Sequence, residues 1–250
     1  MIHVASLVHD DVIDEADTRR GEQSVSGRWG NKMAVLAGDF ILARATQALC
    51  AIGDPTVIAT MATIIEDLVV GEFLQMSPEL SPPSAATSPS DSRGGGGVSA
   101  DSVSGPTYSD RLALYLSKSE RKTASLFANS CRSQLCEQAT AYGKNVGLAF
   151  QLVDDAIDYE LEESESEPST SNQSAGKPVA VDLEQGLITG PLLLAARDED
   201  ELRGLLDGRR SAKEIRDMVR RSGACERTRD LAAHHAEKAA VIGGVGRADV

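Results

Sequence analysis

Gly147-Leu148-Ala149-Phe150-Gln151-Leu152-Val153-Asp154-Asp155-Ala156-Ile157-Asp158 runs an apolar helical segment directly into three carboxylates. A box of the same form, Asp10-Asp11-Val12-Ile13-Asp14, follows the apolar residues Val4 to Val8. Each reads D-D-x-x-D. Positions i and i+4 share a helix face, so Asp10 points with Asp14 and Asp154 with Asp158. Like charges at this spacing destabilise a bare helix by roughly 0.2–0.5 kcal/mol per pair. Carboxylates beside an apolar face are costly unless something positive meets them. One such box alone is weak evidence and reads first as a solvated acidic face. Two copies with matching apolar flanks point to a shared cationic guest, most simply Mg²⁺ ions carrying a phosphorylated substrate. Mg²⁺ typically takes one or two protein carboxylates and completes its shell with water and phosphate oxygens.

Outward from the boxes, helical patterns dominate. Residues 1 to 17 form one helix ending before Thr18-Arg19-Arg20-Gly21, and Asn31 to Cys50 is Ala/Leu-rich at helical spacing. Pro55 opens a helix running to about Met76, at a position where proline is tolerated. Asp110 to about Glu137, Ala141 to Leu161, Gly186 to Ala196, Glu199 to Leu206, Ser211 to Arg221 and Ala224 to Ala240 follow. No strand-like alternation recurs, so the fold class is all-α. Two polar stretches interrupt the pattern: Ser77 to Ser109, rich in Ser, Pro and Gly, and Glu162 to Ser174, rich in Glu and Ser. Neither carries enough apolar surface to order itself. Both read as loops grown within a single domain over residues 1–250, with disordered inserts at 77–109 and 162–174.

The 250 residues are 41% hydrophobic but only 4% aromatic, so Leu, Ile, Val and Ala must fill the core. A formal net charge of −13 argues against nucleic acid or an anionic membrane as partner. It leaves anionic substrates open, because Mg²⁺ inverts the local field. Cys50, Cys131, Cys136 and Cys225 have no zinc-type spacing, and reduced thiols in an intracellular compartment are expected. No stretch is expected to be long and apolar enough to span a bilayer, and the N-terminus shows neither a signal peptide nor an Arg-rich transit peptide.

Basic and polar residues cluster near the boxes. Arg19 and Arg20 follow the first box by a turn and a bend, and arginine forks suit phosphate oxygens. Lys122-Thr123 sets a cation beside a hydroxyl on an otherwise Ala/Leu/Ser segment. Gln151 lies one turn before Asp154, and His3 lies two turns before Asp10 on the same face. Each alone reads as an ordinary surface or core residue; their shared setting makes them candidates for substrate binding.

Together these segments resemble the trans-isoprenyl diphosphate synthases, the long-chain polyprenyl branch (solanesyl/decaprenyl type) in particular. The stretch from Ile2 to Gly21 is similar to that family's first aspartate-rich motif nearly residue for residue. Trp29-Gly30-Asn31-Lys32, Ala37-Gly38-Asp39-Phe40, Gly71-Glu72-Phe73-Leu74-Gln75, Lys122-Thr123-Ala124-Ser125-Leu126, the segment from Gly147 to Asp155, Gly176-Lys177-Pro178, Asp182-Leu183 and Gly186-Leu187-Ile188-Thr189-Gly190-Pro191 follow in family order. The resemblance implies a bundle of antiparallel helices around a central cavity with the boxes at its mouth. It implies a Mg²⁺-dependent condensation of an allylic diphosphate with isopentenyl diphosphate, for quinone side chains. By motif, Asp10, Asp11, Asp14, Arg19, Lys122, Asp154 and Asp155 are the catalytic set, with Asp10, Asp14, Asp154 and Asp158 as metal ligands. Arg19, Lys122, Thr123, Gln151 and Lys177 meet the allylic diphosphate or shield its cation, and His3 and Arg20 belong to the isopentenyl diphosphate site. Ala5 and Ser6, about one turn before the first box, are small where family members that stop early carry aromatics, so a product longer than about C25 is expected. The family is usually dimeric, so a homodimer or heteromer is expected, in a mitochondrion or plastid.

The chain departs from the family at its ends. The Gly-Gly-Lys-Arg type motif that precedes the first box in the family is absent, and the closing helices are missing after Val245, so the chain reads as truncated at both ends. That leaves a fragment of an active enzyme and an impaired or non-catalytic subunit of a heteromeric synthase both open. A class I terpene cyclase also uses D-D-x-x-D, but its second metal motif normally mixes Asn, Ser and Glu, and Lys122-Thr123 favours elongation.

Overall fold

The computed structural model describes residues 1–19, 21–77, 80, 107–132, 137–160, 183, 187–196, 199–206 and 210–244. Nearly all of these are helical. In chain order they form α1 (Ile2–Ile13), a hairpin of β1 (Thr18–Arg19) and β2 (Glu22–Gln23), α2 (Val25–Trp29), α3 (Asn31–Ile52) and α4 (Pro55–Gln75). Next come α5 (Tyr108–Ser119), a π-helical turn (Glu120–Ala124), α6 (Ser125–Arg132) and α7 (Glu137–Glu160). The last are α8 (Gly190–Ala195), α9 (Glu199–Leu205), α10 (Ala212–Arg221) and α11 (Ala224–Ile242). The two insert regions fall almost entirely outside the described residues.

Local sequence sets most of the ends. Asp54 caps α4 by accepting from Thr56 N–H at 2.8 Å, with Pro55 at the first helical position. Thr107 and Asp110 form a reciprocal capping box, which starts α5 two residues before the expected Asp110. Ser211 and Glu214 form another at α10. Two expectations need correction. The first helix stops at Ile13 rather than reaching residue 17, because Glu15 adopts φ 50° and the chain turns into the small antiparallel hairpin, Thr18 opposite Gln23 and Arg19 opposite Glu22. The helix expected from Asp110 to Glu137 is interrupted by the π turn, and residues 133–136 lie outside the described set.

The hydrophobic core lies in the C-terminal half. Tyr115, Leu152, Tyr159, Ile188, Leu192, Leu193, Leu202 and Val219 are almost wholly buried in one cluster beneath α7. α7 packs chiefly on α11 and α6, whereas α1 packs mainly on α3. The outer face of α3 has no such cover: Met33, Leu36 and Phe40 are exposed, Phe40 by 66%. By length and composition alone α3 could cross a bilayer, a test that helices of soluble proteins also pass. Asp39 and Arg44 lie in its middle, and each costs about 2.5–3.5 kcal/mol at a bilayer centre. Cys50, Cys131 and Cys225 are free thiols, and Cys136 lies outside the described residues.

Candidate active site

Both boxes divide their carboxylates in the same way. In the first, Asp11 is 3% exposed while Asp10 and Asp14 are half-buried. In the second, Asp155 is 5% exposed, Asp158 half-buried and Asp154 exposed. This is the i, i+4 geometry expected from the spacing: the outer aspartates share a face and the middle one turns inward. Asp11 and Asp155, grouped by motif with the catalytic set, are therefore held inside the protein. Arg19 Nε and Nη2 both reach Asp11 Oδ1 at 2.7 Å. Asp155 accepts from the Tyr115 hydroxyl at 2.6 Å, Gln151 Nε2 at 2.6 Å and the Gly190 N–H at 3.3 Å. Burial and the neighbouring Asp155 push the Tyr115 hydroxyl well above its usual pKa, so it stays protonated and donates.

The hairpin places Arg19 on Asp11. Ser24 pins the turn after it, donating to Ala16 O at 2.6 Å and accepting from Gly27 N–H at 2.9 Å. Arg20 lies outside the described residues, as does Lys177.

Between the boxes stands the π turn. An extra residue per turn is a feature often found at functional sites. Here it directs adjacent residues to different partners. Lys122 Nζ reaches Glu72 Oε2 at 2.6 Å and Gln75 Oε1 at 3.1 Å, both near the end of α4. Thr123 Oγ1 donates to Gln151 Oε1 at 2.5 Å on α7. Two glycines allow this close approach. A Cβ on Gly71 would come within 3.0 Å of Lys122 N, and one on Gly147 within 2.5 Å of Ala124 Cα. The turn is gripped between α4 and α7 because both helices lack a side chain where they meet it.

Desolvation dominates the electrostatics of the first box. Burial pushes the Asp10 carboxyl up to about 6, with Lys122 opposing the shift and Glu72 and Asp14 adding to it. Asp14 is raised for the same leading reason. Lys122, paired with Glu72, and more weakly Arg19 oppose this shift at Asp10, but burial outweighs both. That deficit in compensating charge fits a divalent cation bound through hard oxygen ligands. Among the described residues, no three His, Cys, Asp or Glu side chains converge to hold a metal by themselves.

The other candidates divide. Ser6 lies on the Asp10 face with its hydroxyl donating to His3 O at 2.9 Å, and His3 is exposed near the start of α1. Ala5 lies with Val8 and Asp11 on the buried face at 2% exposure. Sequence reasoning assigned no role to Glu72, Gln75 or Tyr115. Glu72 and Gln75 were visible only as part of a motif. Tyr115 gave a weaker signal, a hydroxyl two helical turns before Lys122.

The polyprenyl synthetase family model matches residues 1–221. The chain is 42% identical to a probable mitochondrial hexaprenyl pyrophosphate synthase of Neurospora crassa, covering 96% of this chain and 50% of that protein. It is 39% identical to a human all-trans-polyprenyl-diphosphate synthase, covering 96% of this chain and 52% of that one. It therefore spans about half the length of these curated relatives. The crystal structure of a Caulobacter crescentus polyprenyl synthase complexed with calcium and isoprenyl diphosphate superposes with a TM-score of 0.72 at 29% identity, covering 99% of this chain and 70% of that one. The all-α architecture is that of the isoprenoid synthase fold.

Proposed function

This chain belongs to the polyprenyl synthetase family, and on that premise we propose that it is a prenyl-chain elongating transferase that condenses an allylic diphosphate with isopentenyl diphosphate. The supporting observation is the shared layout of the two boxes: outer carboxylates turned outward, inner ones tied down, and Lys122-Thr123 between them on the π turn. In the reaction, the allylic C–O bond breaks and its electron pair leaves with diphosphate. The isopentenyl double bond then attacks the allylic carbon. A C–C bond forms, and a proton is lost to the departing diphosphate. Fixed charges that meet developing charge are commonly the largest catalytic contribution.

Asp10 and Asp14 on α1, with Asp154 and Asp158 on α7, would hold Mg²⁺, which when bound supplies the positive charge that offsets the leaving diphosphate. Lys122 and Arg19 add fixed cations beside the same anion, each already oriented by a carboxylate partner. Thr123 and Gln151 line the side nearer the second box and face the allylic group. His3, Arg20 and Lys177 take their diphosphate-binding roles from the motif resemblance. The product is a long trans-polyprenyl diphosphate for quinone side chains, a reading that rests on the small Ala5 and Ser6 at the motif positions about one turn before the first box. The compartment is a mitochondrion or plastid, the former supported by the name of the Neurospora relative.

The exposed apolar rows Met33, Leu36 and Phe40 of α3, and Val69, Phe73 and Met76 at the end of α4, support a second copy of this chain as partner. The intramembrane cost of Asp39 and Arg44 favours that over a bilayer. Phe40→Glu should shift the particle to a monomer by light scattering; an unchanged mass would exclude this face.

The deciding experiment supplies isopentenyl diphosphate, an allylic primer and Mg²⁺ to the protein and chromatographs the products. Elongation supports the proposal, and its absence overturns it. Ala5→Phe and Ser6→Phe should each shorten the product.

A further inference from the structure

A carboxylate accepts hydrogen bonds and cannot donate them. Among the described residues, the three groups that reach Asp155 are donors: the Tyr115 hydroxyl, Gly190 N–H and Gln151 Nε2. Gln151 must therefore turn its NH₂ toward Asp155, which leaves its carbonyl Oε1 facing Thr123. The Thr123 hydroxyl has one proton, and an acceptor stands 2.5 Å away. The proton goes there, and Thr123 has only lone pairs left for any further partner.

We propose that Tyr115 is a positioning residue for this relay: it anchors the Asp155 carboxylate, whose acceptor-only chemistry orients the Gln151 amide, and so keeps Thr123 placed to present an acceptor rather than a proton to the allylic group. The relevance to the allylic group rests on the transferase reading above. Among the described residues, Asp155 Oδ2 accepts from Tyr115 and from a longer 3.3 Å backbone N–H. Removing the phenolic donor leaves that oxygen under-satisfied in a buried site, and the carboxylate can then rotate to share Gln151 differently. Tyr115 is wholly buried, and its hydroxyl abuts Gly190, where a Cβ would come within 2.8 Å. The ring has no alternative position, so the donor is rigidly placed. An acceptor next to an electron-poor allylic carbon stabilises it; an O–H proton pointed there would oppose it.

A double-mutant cycle tests the relay without requiring turnover. Tyr115→Phe, Thr123→Val and the double variant are melted side by side. The relay predicts that the double variant loses less than the sum of the single losses, by at least about 2 °C, because each single change already breaks the chain. Strict additivity overturns it. Thr123→Ser keeps the hydroxyl and should behave as wild type in the same cycle; coupling lost there also counts against the relay. In the transferase assay, Tyr115→Phe should lower kcat about tenfold while KM for the allylic diphosphate stays within about twofold, and this penalty should vanish in the Thr123→Val background. An equal penalty in both backgrounds overturns the proposed effect on the allylic group. If the wild-type chain shows no transfer, the functional reading fails, while the melting cycle still decides the relay.

Discussion

The two aspartate boxes share a spelling but not a support. Asp11 is held by an arginine eight residues along the chain, from a two-residue strand at the surface. Asp155 is held by neutral donors, two of which are 40 and 35 residues away, above the main hydrophobic core. The first box therefore rests on a local ion pair over a thin two-helix layer. The second rests on a buried hydrogen-bond network that exists only when α5, α7 and the start of α8 have docked. The same D-D-x-x-D pattern can thus be stabilised by charge in one place and by tertiary hydrogen bonding in another.

The largest expected effect tests what the boxes have in common. Asp10→Ala and Asp154→Ala should each lower turnover by about 10²–10³, the scale of losing one stabiliser of transition-state charge. Product chromatography at saturating Mg²⁺ reads this directly. A strong effect at Asp10 with a mild one at the exposed Asp154 would show that the two sides of the site are not equivalent.

The supports separate next. Arg19→Ala leaves Asp11 buried without its partner. Fully buried pairs broken this way cost about 3–5 kcal/mol, and the partly exposed Arg19 side chain reduces that to about 2 kcal/mol. Added salt should lower the wild-type stability contributed by Asp11–Arg19 and leave the Tyr115–Asp155 contribution almost unchanged. Urea melts at low and high ionic strength measure this. Equal salt sensitivity for Arg19→Ala and Tyr115→Phe would erase the distinction between the boxes.

The π turn between the boxes offers a third test. Gly147→Ala gains about 1 kcal/mol in helix propensity but drives a Cβ to 2.5 Å from the Ala124 Cα. Backbone cannot yield cheaply, so overpacking of about 1–3 kcal/mol should prevail. A net loss of up to about 2 kcal/mol in denaturant melts is expected; a stabilised variant would show that α7 need not lie so close to the turn.

How much of this was legible in the sequence follows from how far each signal reaches. Asp10 with Asp14, and Asp154 with Asp158, could be read from spacing because i, i+4 geometry is local. So could the α4 start at Asp54-Pro55, where the cap is contiguous. The π turn was not legible, because no local propensity distinguishes Glu120–Ala124 from the helix around it; its register is imposed by Gly71 and Gly147 from outside. Tyr115 gained its role only when α5 met α7, and Glu72 only when Lys122 reached α4. The exposed side of α3 was missed for the opposite reason: its Ala/Leu pattern reads as core, and only the packed chain shows which face has no neighbour.

The smallest expected effect concerns the charge deficit that distinguishes the first box. Asp10 titrates near 6 in the folded protein and near 3.8 when unfolded, mainly because burial disfavours its charge. The folded state therefore holds a proton on Asp10 that the unfolded state has released between these values. Its contribution to stability is full below about 3.8 and is lost as pH rises through about 6. Asp10→Asn stays neutral throughout, so in divalent-free buffer it should match wild type near pH 4 and exceed it by about 1 kcal/mol near pH 7.5. Millimolar Mg²⁺ should raise the wild-type melting temperature at pH 7.5, more weakly at pH 5, and should raise that of Asp10→Asn least. If Asp10→Asn is no more stable than wild type at pH 7.5 without divalent ions, the carboxylate carries no desolvation penalty. The first box would then be as well compensated as the second, and its need for a bound cation would lose its physical basis.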